Sequence, residues 1–288
     1  MSEKQKVAVL GFGAMGSGIA QVCAQAGHEV VVLDTSEEQI EAGGQRIQGF
    51  LNEGVRREKT TEEDRDETLA RVRGTTEVGE LAGVGVVIEA AVEDLAVKKE
   101  LLPAVAEAVG EGAILATNTS ALSVTELAAS VPNPSRFAGL HFFNPAPLMP
   151  LVEVVAAEQS ANETLDALEA FAEGIGKQPV RTKDRPGFLV NRLLMPYLNQ
   201  VARAYDEGLA SAEDMDAALR LGLGYPMGGL ELLDLVGLDV HVHATSAAYE
   251  QTREPSLAPP PVLGRMVHAG YLGRKTGKGF YEYGKDGS

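Results

Sequence analysis

Apolar and polar positions divide the chain into two stretches of different period. Before residue 184, short unbroken apolar runs recur at 7–10, 30–33, 84–88, 114–117, 137–143 and 151–155, with a shorter one at 179–181. Runs of this length, bounded by glycine, proline or acidic positions, predict buried strands. Helix-period segments at 17–26, 98–109, 124–129 and 164–175 lie between them. Residues 37–82 are polar with scattered apolar positions (Ile40, Ile47, Phe50, Leu51, Leu69, Val72), which suits two solvent-facing helices joined near 59–62.

The period changes after Asp184. From Pro186 onward helical spacing dominates, and Phe188, Leu189, Leu193, Leu194, Tyr197, Leu198 and Val201 form one long apolar face on a helix that Pro196 should kink. The expected fold is therefore α/β: a Rossmann-type, doubly wound, mostly parallel sheet over residues 1–184, followed by an all-helical C-terminal domain over 185–288. No internal repeat is visible, and the prolines at 259–261 read as a surface loop or linker.

The first apolar run turns through Gly11-Phe12-Gly13-Ala14-Met15-Gly16 and continues as a helix of small residues. This G-x-G-x-x-G arrangement is a dinucleotide fingerprint: Gly11, Gly13 and Gly16 allow a tight turn and close backbone approach, and the amides around Ala14 and Met15 open a helix that favours a pyrophosphate. Asp34 ends the second run, where a carboxylate accepts ribose hydroxyls and repels a 2′-phosphate, so NAD is expected rather than NADP.

Composition narrows the partners. Lysine and arginine number 25 against 41 acidic residues, a formal charge of −16, which repels a nucleic-acid backbone. No apolar stretch approaches the ~20 residues of a membrane span, and the opening residues lack a signal-peptide pattern, so a cytoplasmic protein without a membrane partner is expected. The single cysteine, Cys23, lies in an Ala-rich helical segment, where packing rather than redox chemistry is the ordinary role.

Further motifs follow in order: Thr117-Asn118-Thr119-Ser120-Ala121-Leu122, Gly139-Leu140-His141-Phe142-Phe143-Asn144-Pro145, Leu151-Val152-Glu153-Val154-Val155, Pro186-Gly187-Phe188-Leu189-Val190-Asn191-Arg192, Gly224-Tyr225-Pro226-Met227-Gly228, and a terminal Gly273-Arg274-Lys275-Thr276-Gly277-Lys278-Gly279-Phe280-Tyr281. Together they resemble the 3-hydroxyacyl-CoA dehydrogenase family, in particular its short bacterial 3-hydroxybutyryl-CoA dehydrogenases, over essentially the whole chain. The resemblance implies reversible oxidation of a short-chain (S)-3-hydroxyacyl-CoA with NAD, as in fatty acid metabolism.

Hydride leaves a carbinol carbon readily only as the hydroxyl proton is removed, so such an enzyme needs a base near neutral pH. Of the histidines, His28 enters the second strand and His241, His243 and His268 fall in the helical region. His141 alone ends a sheet strand before a turn, where open α/β sheets place ligands. Glu153 follows after a proline-rich turn and could brace the imidazole as an orienting carboxylate.

By resemblance, Ser120 would bond the substrate's 3-oxygen beside the nicotinamide, and Asn191 would bind substrate from the helical domain. The family's cofactor contacts map onto Glu93, Lys98, Asn144 and Lys275, and its CoA phosphate-binding lysine aligns with Arg57, inside the cluster Arg56, Arg57 and Lys59. Plainer roles stay open: Ser120 as a helix cap, Asn191 as an interdomain hydrogen bond, Glu93 and Lys98 as the solvated start of a helix, the basic cluster as a solvated face. At Asp94 the family commonly has asparagine, and either residue can cap a helix.

Two other activities share this fold. One is oxidation of a free hydroxy or sugar acid, as in the gulonate dehydrogenase and lens-crystallin branch, which would not need the basic cluster. The other is non-catalytic nucleotide binding, against which the His141, Glu153, Ser120 and Asn191 set speaks. Leu230, Leu232, Leu233, Leu235, Val236 and Leu238 make the helical domain more apolar than a small exposed domain needs, so a homodimer through it is expected.

Overall fold

A computed structural model describes residues 4–284. The chain divides into two compact units, Met1–Phe188 and Leu189–Ser288. The first runs β1 (Lys6–Leu10), α1 (Ala14–Gln25), β2 (Glu29–Leu33), α2 (Glu37–Arg56), α3 (Glu62–Ala70), β3 (Val72–Thr75), β4 (Val86–Glu89), α4 (Leu95–Val109), β5 (Ile114–Thr117), α5 (Val124–Ala128), β6 (Phe137–Phe142), β7 (Leu151–Ala156), α6 (Asn162–Gly174) and β8 (Gln178–Lys183).

Its strands form an eight-stranded sheet in the order β3-β2-β1-β4-β5-β6-β7-β8. All neighbours pair in parallel except β6 with β7. Helices cover both faces, so the central strands are buried throughout: Val7, Val9, Val32 and Ile88 pack under α1 and α2, while Ala8, Leu10, Val31 and Val87 pack under α4 and α5. A sheet wrapped in this way explains why the strands read as continuous apolar runs.

One strand departs from the sequence expectation. Val72, assigned above to a solvent-facing helix, lies in β3, a four-residue edge strand on β2. Its sequence, Val-Arg-Gly-Thr, offers too little apolar alternation to stand out. Gly74 is required there because a Cβ would sit 2.1 Å from Ile40 Cγ2 of α2. At α1, Cys23 is fully buried, and burial pushes its thiol up to about 12, which leaves it inert at neutral pH.

The second unit holds α7 (Val190–Asp206), α8 (Ala212–Leu223), α9 (Gly229–Val236), α10 (Leu238–Thr252) and α11 (Pro261–His268). Phe188 is not on the α7 apolar face; it precedes the helix and is buried in the first unit. Leu189 and Leu193 are exposed, so the buried stripe of α7 begins with Leu194 and runs through Tyr197, Leu198 and Val201. Residues 259–261 do not form a free linker either, since Pro260 is buried and Pro261 begins α11 as an N1 proline.

Two buried carboxylates organise this unit. Asp216 accepts the Leu230 and Glu231 amides at 2.9 and 2.8 Å, capping α9, and the Tyr281 hydroxyl at 2.8 Å. Asp234 accepts the Phe280 and Tyr281 amides and the Tyr283 hydroxyl, each at 2.9 Å. Burial raises the Asp234 carboxyl against those donors. Gly279 has to be glycine, because a Cβ would lie 1.9 Å from Asp234 Oδ1. The terminal Gly-Phe-Tyr motif is thus a clasp on a buried acid.

Candidate active site

The loops leaving β1, β4, β5 and β6 gather the chemistry-bearing residues of the first unit at the carboxyl edge of the sheet. In the fingerprint, Gly11 has φ +93° and Gly16 packs so closely that a Cβ would lie 1.8 Å from Gly11 O. Gly13 faces open space, with nothing within 4 Å of an added Cβ. Helix α1 starts there without a side-chain cap and without an acidic residue in its first turn. An uncapped helix N-terminus beside open space fits a dinucleotide pyrophosphate.

Asp34 closes the loop from the other side. Its carboxylate accepts the Phe12 and Thr35 amides, each at 2.6 Å. Arg46 of α2 donates to Phe12 O at 3.0 Å, and the Phe12 ring fills the space over Gly43. The acidic residue expected to read ribose therefore also holds the glycine turn in shape.

His141 and Glu153 stand directly opposite each other on the antiparallel β6–β7 ladder. Opposed residues project to the same face, which brings His141 Nδ1 to 2.7 Å from Glu153 Oε2. Both side chains are buried, and two phenyl rings flank the imidazole, Phe143 at 4.7 Å and Phe188 at 5.5 Å between centroids. Asn118 ties the neighbouring strand ends together: its amide donates to Glu89 O at 2.7 Å, and its Oδ1 accepts the Phe142 amide at 2.8 Å.

A buried charge network joins β4, α4 and the β5–α5 loop. Lys98, 1% exposed, bonds the fully buried Glu89, and its ammonium also lies 3.3 Å from Glu93. Glu89 accepts the Ala91 amide at 2.7 Å and the Thr117 hydroxyl at 2.6 Å. Glu93 accepts the Thr119 hydroxyl at 2.5 Å and the Ser120 amide at 3.0 Å. Burial pushes the Glu93 carboxyl up, but Thr119, Lys98 and the Ser120 amide outweigh it and hold the group below its ordinary range. Lys98 is thus not a solvated helix residue. Asp94, as expected, caps α4 by accepting the Ala96 and Val97 amides.

Ser120 is exposed at the start of the β5–α5 loop, and the cap of α5 is Ser123 instead, whose hydroxyl accepts the Glu126 amide at 3.1 Å. Asn144 is exposed at the head of the β6–β7 loop. Lys177 anchors that loop, donating to Ala146 O at 2.6 Å and Met149 O at 2.9 Å. Burial lowers its ammonium below the usual lysine range.

Residues 6–185 match the family model described as 3-hydroxyacyl-CoA dehydrogenase, NAD binding domain, and residues 187–283 match the model of the C-terminal domain. The chain belongs to the 3-hydroxyacyl-CoA dehydrogenase family. It is 46% identical over 281 residues to a 3-hydroxybutyryl-CoA dehydrogenase of Mycobacterium tuberculosis, covering 97% of this chain and 98% of that one. The corresponding enzyme of Clostridioides difficile is 40% identical, with 97% and 100% covered. Among solved structures, the (S)-3-hydroxybutyryl-CoA dehydrogenase of Ralstonia eutropha superposes with a TM-score of 0.94 at 41% identity, over 98% of this chain and all of that one. As a dehydrogenase of this family, the enzyme uses NAD, and its first unit is the NAD binding domain.

Within that domain the structure brings His141 and Glu153 into contact, and joins Glu93 and Lys98 to the Ser120 loop. Arg57 lies elsewhere, at the exposed C-terminal end of α2, where Glu53 already pairs with both Arg56 and Arg57. Asn191 and Lys275 belong to the helical unit, Asn191 in the first turn of α7 and Lys275 bonded to Asp239 at 2.7 Å. Sequence reasoning missed Glu89 and Lys177. For Glu89 the signal was a carboxylate closing an otherwise apolar strand; for Lys177 no local pattern exists, because its partners lie about thirty positions away in the chain.

Proposed function

We propose that the enzyme reversibly oxidises a short-chain (S)-3-hydroxyacyl-CoA to the 3-oxoacyl-CoA. The observation that carries the mechanism is the buried His141–Glu153 pair, 2.7 Å apart at the carboxyl edge of the NAD binding domain. Glu153 keeps the proton on Nδ1 in the neutral ring, so Nε2 presents its lone pair to the substrate hydroxyl. As the carbon–oxygen double bond forms, that hydroxyl proton passes to Nε2, and the Glu153 carboxylate stabilises the imidazolium. When bound, NAD would supply the acceptor for the hydride that leaves carbon 3.

Gly11, Gly13, Ala14, Met15 and Gly16 hold the pyrophosphate, Asp34 the ribose, and Glu93, Lys98, Asn144 and Lys275 make further cofactor contacts. Ser120 and Asn191 bond the substrate; both are neutral, which suits an oxygen that alternates between hydroxyl and carbonyl. Arg57 takes the CoA phosphate, with Glu53 as the competitor it must leave.

The same reading places the enzyme in the cytoplasm as a homodimer through the helical unit. No helix among the described residues is long and apolar enough to cross a membrane. Leu230, Leu233 and Leu238 are buried in the unit's own core and are not available for pairing. Apolar residues left exposed on its helices include Leu193 on α7, Leu221 and Leu223 on α8, Leu235 and Val236 on α9, and Val240 on α10.

Turnover of acetoacetyl-CoA with NADH, compared with free acetoacetate and free sugar acids under saturating cofactor, tests the substrate class. Faster turnover of a free acid would sink it. His141→Gln should abolish both directions of reaction while leaving NADH binding intact; unchanged turnover in that variant removes the proposed base.

A further inference from the structure

The boundary between the units falls on an unusual residue. Phe188 is the last residue of the first unit, and it has φ +48° in a turn that also contains Gly187 at φ +80°. A phenylalanine with positive φ is held there against its own backbone preference, which persists only where surrounding contacts over-determine it. The contacts are plain. Phe188 is 5% exposed, packs in the core beneath the sheet with Val155 and Ala157 of the β7 region, and sets its ring edge-on to the His141 imidazole, 5.5 Å away at 64°. Its amide donates to Arg185 O at 2.8 Å, closing the turn.

The two edges of the imidazole are thereby fixed by different means. The β6–β7 ladder positions Glu153 on Nδ1, and one hydrogen bond to one nitrogen does not by itself fix the plane of the ring. Phe143, tilted 57° at 4.7 Å, comes directly after the strand that carries His141. Phe188 is the ring that comes from outside the ladder, carried by a turn whose backbone is strained into place.

We infer that Phe188 is a positioning residue for hydride transfer: the left-handed turn at the end of the first unit presses its ring against the imidazole and fixes the direction in which Nε2 points. This rests on His141 being the base. The ring is worth keeping under strain because proton and hydride must leave the same carbinol together, and a misdirected base loses rate without losing affinity.

The test uses the full-length enzyme, with 3-hydroxybutyryl-CoA deuterated or not at carbon 3, in wild type, Phe188→Ala, Phe188→Gly, Phe188→Tyr and His141→Gln. Phe188→Ala is expected to lower kcat about tenfold, to leave NADH affinity within about twofold, and to raise the deuterium isotope effect on kcat as hydride transfer becomes limiting. Phe188→Tyr keeps the ring and should restore both. Phe188→Gly relieves the strain but also removes the ring, so it should match Phe188→Ala.

A Phe188→Gly variant near wild type means the backbone matters and the ring does not, which overturns the inference. So does Phe188→Ala with wild-type kcat and isotope effect. Should Phe188→Ala fail to fold, Phe188→Leu takes its place, with an intermediate loss expected and none overturning the inference. His141→Gln separates the two levels: if it turns over normally the base assignment falls, whereas if it is dead while Phe188→Ala is unimpaired, only the role of Phe188 falls.

Discussion

Removing the Lys98 ammonium should do more damage than removing the whole ion pair it belongs to. Lys98 and Glu89 are 1% and 0% exposed, and among the described residues Glu89 keeps the Ala91 amide and the Thr117 hydroxyl as donors if the ammonium is lost. Stranding a carboxylate in this way costs about 3–5 kcal/mol, because the desolvation paid on burial is no longer offset by an opposite charge. Lys98→Met fills the same volume with apolar atoms and isolates that effect. In Glu89→Gln/Lys98→Met the neutral amide can still meet Ala91 and Thr117, so the double variant should recover about 2 kcal/mol of the single loss. Denaturant unfolding of the four members of the cycle gives the coupling directly. A single loss below about 1 kcal/mol, or losses that simply add, would refute the claim that the pair is held as a unit.

Three further outcomes follow from the geometry. Glu153→Gln removes the charge opposite Nδ1 while keeping its shape, so kcat should fall about 10²–10⁴-fold with little change in KM; stopped-flow turnover with NADH checks it. Gly16→Ala drives a Cβ to 1.8 Å from Gly11 O and should weaken NADH binding at least about tenfold by fluorescence titration, with the helical unit unaffected. Burial pulls the His241 imidazole down to about 4, with Asn199 Oδ1 2.9 Å from its Nε2. The folded value lies below the ordinary 6.5, so the unfolded chain binds the extra proton: stability is full above about pH 6.5 and is lost as pH falls toward 4, by roughly 3 kcal/mol. The denaturant midpoint between pH 7.5 and 4.5 should show that slope and lose most of it in His241→Gln; an equal slope in the variant would assign the acid sensitivity elsewhere.

The central strands of the sheet were legible because burial on both faces leaves unbroken apolar runs, and the fingerprint was legible because its glycines meet a local steric need. Where a strand sits at the edge, as β3 does, a single face is packed and Val-Arg-Gly-Thr carries too little signal. His141 and Glu153 could be paired on paper because a single proline-rich loop joins their strands, which keeps them within twelve positions of each other. Glu89 with Thr117, and Lys177 with Ala146, are 28 and 31 positions apart, and nothing along the chain announces them. Phe188 was misplaced for a different reason. Its apolar neighbours carry the helical period, and only the left-handed turn breaks it away from them.

The lone antiparallel pairing in the sheet has a consequence for how such an enzyme can diverge. Because His141 and Glu153 face each other across one rung, their separation belongs to the ladder and not to the loop that joins β6 to β7. That loop can change length or sequence, and the helical unit can be remodelled for another acyl chain, with the proposed proton-transfer pair undisturbed. A slip of one residue along the rung cannot be absorbed in the same way, since it would turn one partner through to the opposite face of the sheet.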